Sequence, residues 1–137
     1  MRNFCWILCL FLFFVYSCST GERSAPVEES ITRYASLIRV KPEKLEEYKA
    51  LHARPWPGVN RMLKEVNIQN YSIYYRDGLL FSYFEYTGSD FEADMALMAA
   101  DSLTREWWKL TDPCQVPVET AAEGEWWAPM EELYHLD

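Results

Sequence analysis

The chain has 137 residues, enough for one domain with its own core. Half of them are hydrophobic and 16% are aromatic, which excludes a disordered chain. The formal net charge is −8 and no cluster of Lys and Arg occurs, which excludes nucleic acid as a partner.

Arg2 gives the chain a positive start, and Phe4 to Tyr16 form an almost purely apolar run. That run is shorter than the roughly 20 residues a comfortable membrane span needs. It reads as the apolar region of a secretion signal. Its end, "VYSCS", resembles the lipobox of bacterial lipoproteins, where a small residue (here Ser17) precedes a lipidated cysteine (here Cys18). Residues 1–18 are therefore expected to be a signal peptide, with Cys18 as the lipidated start of the mature chain. The protein is then exported, either periplasmic or anchored to a bacterial membrane through the lipid. An ordinary signal peptide cut nearby is the alternative. Cys5 and Cys9 would leave with the signal, so Cys114 has no disulfide partner and reads as a small buried hydrophobe. Residues 19–30, "STGERSAPVEES", are polar and aperiodic, which predicts a flexible tether.

One domain is expected over residues 31–137. Ile31 to Val40 alternate as a strand. Pro42 opens a helix where its missing N–H costs nothing, and Leu45, Tyr48, Leu51 and His52 form the inward stripe. "RPWPG" interrupts it, because proline disfavours a helical residue before it. A second helical piece carries Val59, Met62, Leu63 and Val66. Ile68 to Tyr75 and Leu79 to Tyr86 are two strands joined at Asp77-Gly78, a pair suited to the positive φ of a tight hairpin. "SDFE", Ser89 to Glu92, has the form of a capping box and starts a helix carrying Phe91, Met95, Ala96 and Ala99. Ser102 to Leu110 form a further helical segment. Residues 111–129 read as a loop, and "EELYHL" as a short closing strand. The order is strand, helix, strand, strand, helix, strand. It predicts an α+β fold of the ferredoxin-like, split βαβ kind: an antiparallel sheet with helices on one face. The bare face of so aromatic a sheet predicts burial against a second copy, a homodimer.

Tyr48 and His52 are four residues apart, one helical turn on the same face. A phenol beside an imidazole can move a proton near neutral pH, although such pairs also occur as plain packing. Trp56, between two prolines, places a ring next to them. Proton-moving groups beside flat apolar rings suit a small polyhydroxy ligand such as a sugar. Phosphate loops, nucleophile elbows and metal-ligand spacing are missing, since the only histidines are His52 and His135. No metal and no cofactor is expected.

The segments "EEYKALHARPWP", "NYSIYY" and "REWWK", in this order and spacing, resemble the L-rhamnose mutarotases, a family of small dimeric α/β barrel proteins. The resemblance covers residues 31–137. It implies that His52 is the general acid/base, that Tyr48 and Tyr71 contact the sugar, and that Trp107 and Trp108 are the family's tryptophan pair. Three features depart from the family: Gly58 stands where an acidic residue is expected, the stretch after "WWK" differs and adds a second tryptophan pair, Trp126-Trp127, and the exported lipoprotein form departs from a cytoplasmic enzyme of sugar catabolism.

The resemblance implies interconversion of the α and β anomers of L-rhamnose or a related 6-deoxy sugar. The ring oxygen gains a proton as the anomeric hydroxyl loses one, and one imidazole can serve both steps. His52 would be the acid at the ring oxygen, with Tyr48 and Tyr71 orienting hydroxyls. Trp107 or Trp108 would cover the sugar's apolar face; neighbours on a helix point about 100° apart, so at most one faces it squarely. Trp126 and Trp127 would cover the pocket mouth or reach the partner subunit. Two rival functions share this pattern: a non-catalytic sugar-binding lipoprotein, and a ferredoxin-like dimeric monooxygenase.

Overall fold

The computed structural model describes residues 31–136. The expected signal peptide with Cys18, the tether 19–30 and Asp137 lie outside the described residues.

Strand β1 (Thr32–Val40) is central. Its Tyr34, Ser36, Ile38 and Val40 share one face, and Ile38 and Val40 are buried there. Pro42 opens a 3-10 turn (Pro42–Lys44), which runs into α1 (Leu45–Ala53). Pro55 and Pro57 separate α1 from α2 (Pro57–Glu65). At Gly58, the position expected to be acidic, a Cβ would meet the tip of the Leu103 side chain, which would have to shift. Strands β2 (Ile68–Arg76) and β3 (Leu79–Tyr86) form the predicted hairpin, with Asp77 at φ 50° and Gly78 at φ 83° in its turn.

Helices α3 (Phe91–Ala100) and α4 (Ser102–Thr111) follow. Asp90, not Ser89, caps α3: its Oδ1 accepts from the Ala93 N–H at 3.0 Å. A carboxylate in that position also suits the positive helix end. Ala96 and Ala99 face solvent, while Phe91, Asp94, Met95 and Met98 turn inward. Asp94 is drawn in because its Oδ2 accepts from Asn67 at 2.8 Å and from the Tyr86 hydroxyl at 2.7 Å.

The sheet order is β2-β3-β1, antiparallel throughout. The last position is shared by two short strands, β4 (Gln115–Val116) and β5 (Ala128–Pro129), both antiparallel to β1. This corrects two expectations. Residues 111–129 are not all loop: a 3-10 turn at Asp112–Cys114 leads into β4. "EELYHL" is not a strand either, since the last ladder bond is Met130 N–H to Ala35 O at 2.8 Å. Pro117 and Pro129 lack N–H donors, which keeps both edge strands short.

Ile38, Val40, Leu80, Cys114 and Tyr48 form one core between sheet and helices, with Leu45, Ile73 and Trp127 packed against it. Complete burial of side chains such as Ile38 and Leu80 stabilises the fold by roughly 1.5–3 kcal/mol each. The opposite sheet face keeps Leu37, Tyr74, Leu79 and Phe81 around an open hollow of about 310 Å³.

Candidate active site

On the helix side lies a pocket in two adjoining halves of about 350 and 340 Å³. His52, Tyr71, Ile73, Met98, Trp107 and Trp108 line both. Tyr48, Asp112, Gln115, Trp126 and Trp127 line one half only, and Asn60 and Leu63 the other.

Helix α1 supplies Tyr48 and His52. The two rings stack with centroids 4.0 Å apart, and the phenol ring is buried. His52 Nδ1 lies 3.0 Å from the Tyr48 carbonyl oxygen. A carbonyl only accepts, so Nδ1 carries the proton and donates it, leaving Nε2 as the nitrogen free to exchange one. Burial lowers the imidazole below its ordinary 6.5, partly opposed by that hydrogen bond.

The Tyr48 hydroxyl heads a chain whose directions are fixed by chemistry. The Trp126 indole N–H only donates, so the Gln115 oxygen, 3.0 Å away, is the acceptor. The Gln115 amide nitrogen therefore faces Tyr48 and donates to its hydroxyl oxygen at 3.3 Å. The hydroxyl proton of Tyr48 is left to donate elsewhere. Burial, with a smaller contribution from Tyr71, pushes this phenol up, so it is a neutral donor at neutral pH.

A β-bulge brings Tyr71 to the same pocket. Between the pairs Gln69–Glu85 and Ser72–Tyr83, β2 spends one residue more than β3. Asn70 takes φ 51° there and donates to Glu85 Oε2 at 2.6 Å. The extra residue switches strand parity, so Tyr71 points to the helix side and meets Phe84 edge-on at 5.8 Å. As a residue Tyr71 is 42% exposed, yet its hydroxyl is desolvated, which pushes it up to about 12.

Trp107 is buried and touches His52 edge-on at 5.5 Å, while the half-buried Trp108 lines both halves of the pocket beside it. Trp56 does not line the pocket; it supports Trp107 from behind, edge-on at 5.5 Å. Trp126 and Trp127 do line it. Trp127 also packs on the main core.

Sequence reasoning missed Gln115 and Asp112. Gln115 had no local signal, because its partner Tyr48 is distant in the chain and its segment read as loop. Asp112 had a faint one, an acidic residue at the end of a helix, where the dipole disfavours it.

The family model for L-rhamnose mutarotase matches residues 33–136. An L-rhamnose mutarotase of Sinorhizobium fredii is 33% identical over 107 residues, covering 76% of this chain and 97% of its own. One from Lactiplantibacillus plantarum is 28% identical and matched over its whole length, with 78% of this chain covered. Among solved structures, an L-rhamnose mutarotase of Formosa agariphila superposes with TM-score 0.60 at 20% identity, covering 77% of this chain and 99% of that one. The tetracenomycin F2 cyclase of Streptomyces glaucescens superposes with TM-score 0.59 at 15% identity, over 77% and 97%. These two structures establish the ferredoxin-like fold.

Proposed function

Since the chain belongs to the L-rhamnose mutarotase family, we propose that it interconverts the α and β anomers of L-rhamnose by proton transfer in the pocket between sheet and helices. The observation that carries this reading is the His52 tautomer. With Nδ1–H held on the Tyr48 carbonyl, Nε2 is the one imidazole nitrogen free to exchange a proton with a bound sugar. A lowered imidazole pKa makes the protonated form a stronger acid toward the ring oxygen. Tyr48 and Tyr71 are neutral hydroxyl donors that orient the sugar. Trp107 and Trp108 cover its apolar face, and Trp126 with Trp127 covers the end at Gln115.

The test is saturation-transfer NMR on L-rhamnose. Protein should speed exchange between the anomers, and His52→Ala should abolish the gain while the domain stays folded. Binding without faster exchange would leave a sugar-binding protein and end this assignment.

Independently of the reaction, we propose a lipid anchor and a second copy of the chain. The lipobox-like "VYSCS" supports a mature chain that begins at Cys18, is exported and partitions with membranes. Mass spectrometry should find Cys18 acylated at the N-terminus; an unmodified Cys18 with residues 1–17 still attached would refute this. The exposed apolar side chains on the far sheet face support a homodimer formed through that face.

A further inference from the structure

Mutarotation needs two sites of proton exchange, one at the ring oxygen and one at the anomeric hydroxyl. His52 offers a single free nitrogen, because its other one is tied to the Tyr48 carbonyl. Among the described residues the pocket holds one carboxylate, that of Asp112. The other titratable groups lining it are His52 and Tyr48 of α1 and Tyr71 of β2. Both phenols are pushed up by burial and stay protonated near neutral pH. Asp112 is thus the one group besides His52 suited to take a proton there.

Asp112 stands where α4 ends and the 3-10 turn Asp112–Cys114 begins. Asp112 is the C-cap of α4, at the negative end of the helix dipole, where cations are favoured. Lys109, in the last turn of that helix, is held by Glu106 at 2.6 Å. Lys41 reaches the neighbouring backbone, donating to Pro113 O at 2.8 Å. Among the described residues the Asp112 carboxylate has neither a hydrogen-bond donor nor a cation as partner. The residue is exposed at the pocket rim, so a ligand can reach it, while partial desolvation raises its carboxyl above the ordinary 3.8.

We propose that Asp112 is a second catalytic residue, the base for the anomeric hydroxyl while His52 serves the ring oxygen. In ring opening, the Asp112 carboxylate takes the proton of the anomeric hydroxyl. The bond from C1 to the ring oxygen breaks, its electron pair goes to that oxygen, and the oxygen takes the proton held on His52 Nε2. The open-chain aldehyde forms beside neutral His52 and protonated Asp112. After rotation about C1–C2, the hydroxyl formed from the ring oxygen attacks C1 and returns its proton to His52. The carbonyl oxygen takes its proton back from Asp112. Nothing is gained or lost over the cycle.

This inference rests on the mutarotase reading, and one set of measurements separates the two. Anomer exchange of L-rhamnose is followed by saturation transfer in wild type, Asp112→Asn and Asp112→Ala, with sugar affinity from calorimetry and folding from circular dichroism. Asp112→Asn should lower kcat about 100-fold or more, with affinity changed by less than about threefold. The acid limb of the kcat profile, where Asp112 is protonated and cannot act as base, should disappear in that variant. Added formate should restore part of the rate to Asp112→Ala. An Asp112→Asn protein that exchanges anomers like wild type overturns the proposal and leaves His52 standing. So does one whose rate falls only as far as its affinity, with an unchanged pH profile, because Asp112 then merely holds the sugar. A wild type without exchange overturns the mutarotase reading and this proposal together.

Discussion

His52 is fixed by its own helix, through the carbonyl one turn back, and its ring is faced by Tyr48 of that helix and Trp107 of α4. Desolvation lowers its pKa, so the folded chain holds fewer protons than the unfolded chain just below the ordinary value of 6.5. Stability therefore rises with pH through that window, and is lost as pH falls from 6.5 toward the lowered folded value. Between pH 7 and 5.5 the melting temperature should drop more in wild type than in His52→Gln. Equal drops would show that His52 titrates alike in both states. Trp126 is a second residue whose role is local. Its indole fixes the orientation of Gln115 and so the donor direction of Tyr48. Trp126→Ala should weaken sugar binding about tenfold, near 1.4 kcal/mol, the upper range for loss of one aromatic contact. Calorimetry showing undiminished affinity would remove this ring from the site.

Among the elements, β2 is the one whose irregularity serves the pocket. A regular strand would turn Tyr71 to the far face of the sheet. The bulge at Asn70 reverses that, held by Glu85, which accepts from Asn70, Gln69 and Tyr83. Asparagine tolerates the left-handed backbone of φ 51°, glycine more so, and a β-branched residue resists it. Asn70→Val should cost about 1–2 kcal/mol of stability and weaken sugar binding by displacing Tyr71, while Asn70→Gly should keep both nearly intact. A valine variant as stable and as tight-binding as the glycine variant would show that the bulge does not set Tyr71.

At the scale of the whole molecule, one sheet face is covered by helices and the other is not. Leu37, Phe81 and the 61% exposed Tyr74 lie on that open face. Beyond the last ladder bond, Leu133, Tyr134 and Leu136 are each more than three-quarters exposed. A monomer would leave this surface in water, and a second copy of the chain would cover it. Phe81→Glu should convert the proposed dimer to a folded monomer, read by sedimentation and circular dichroism. A charged variant that sediments like wild type would move the interface elsewhere.

The fold and half the site were legible in the sequence because they depend on local spacing. Strand parity, the prolines, Asp77-Gly78 and the strand–helix order gave the βαββαβ plan, since each is set by backbone preferences within a few residues. Tyr48 and His52 were legible because a helical turn brings them together wherever the helix lies. The rest was decided by tertiary contacts. Gln115 meets Tyr48 only because β4 pairs with the end of β1, and two short strands filled the edge position that "EELYHL" was expected to take. Asp90 rather than Ser89 caps α3, and Tyr71 reached the pocket through a bulge that alternation cannot reveal. Asp112 carries no helical or strand signal toward His52. The two line one pocket because α4 ends beside α1, a matter of helix packing that no local pattern encodes.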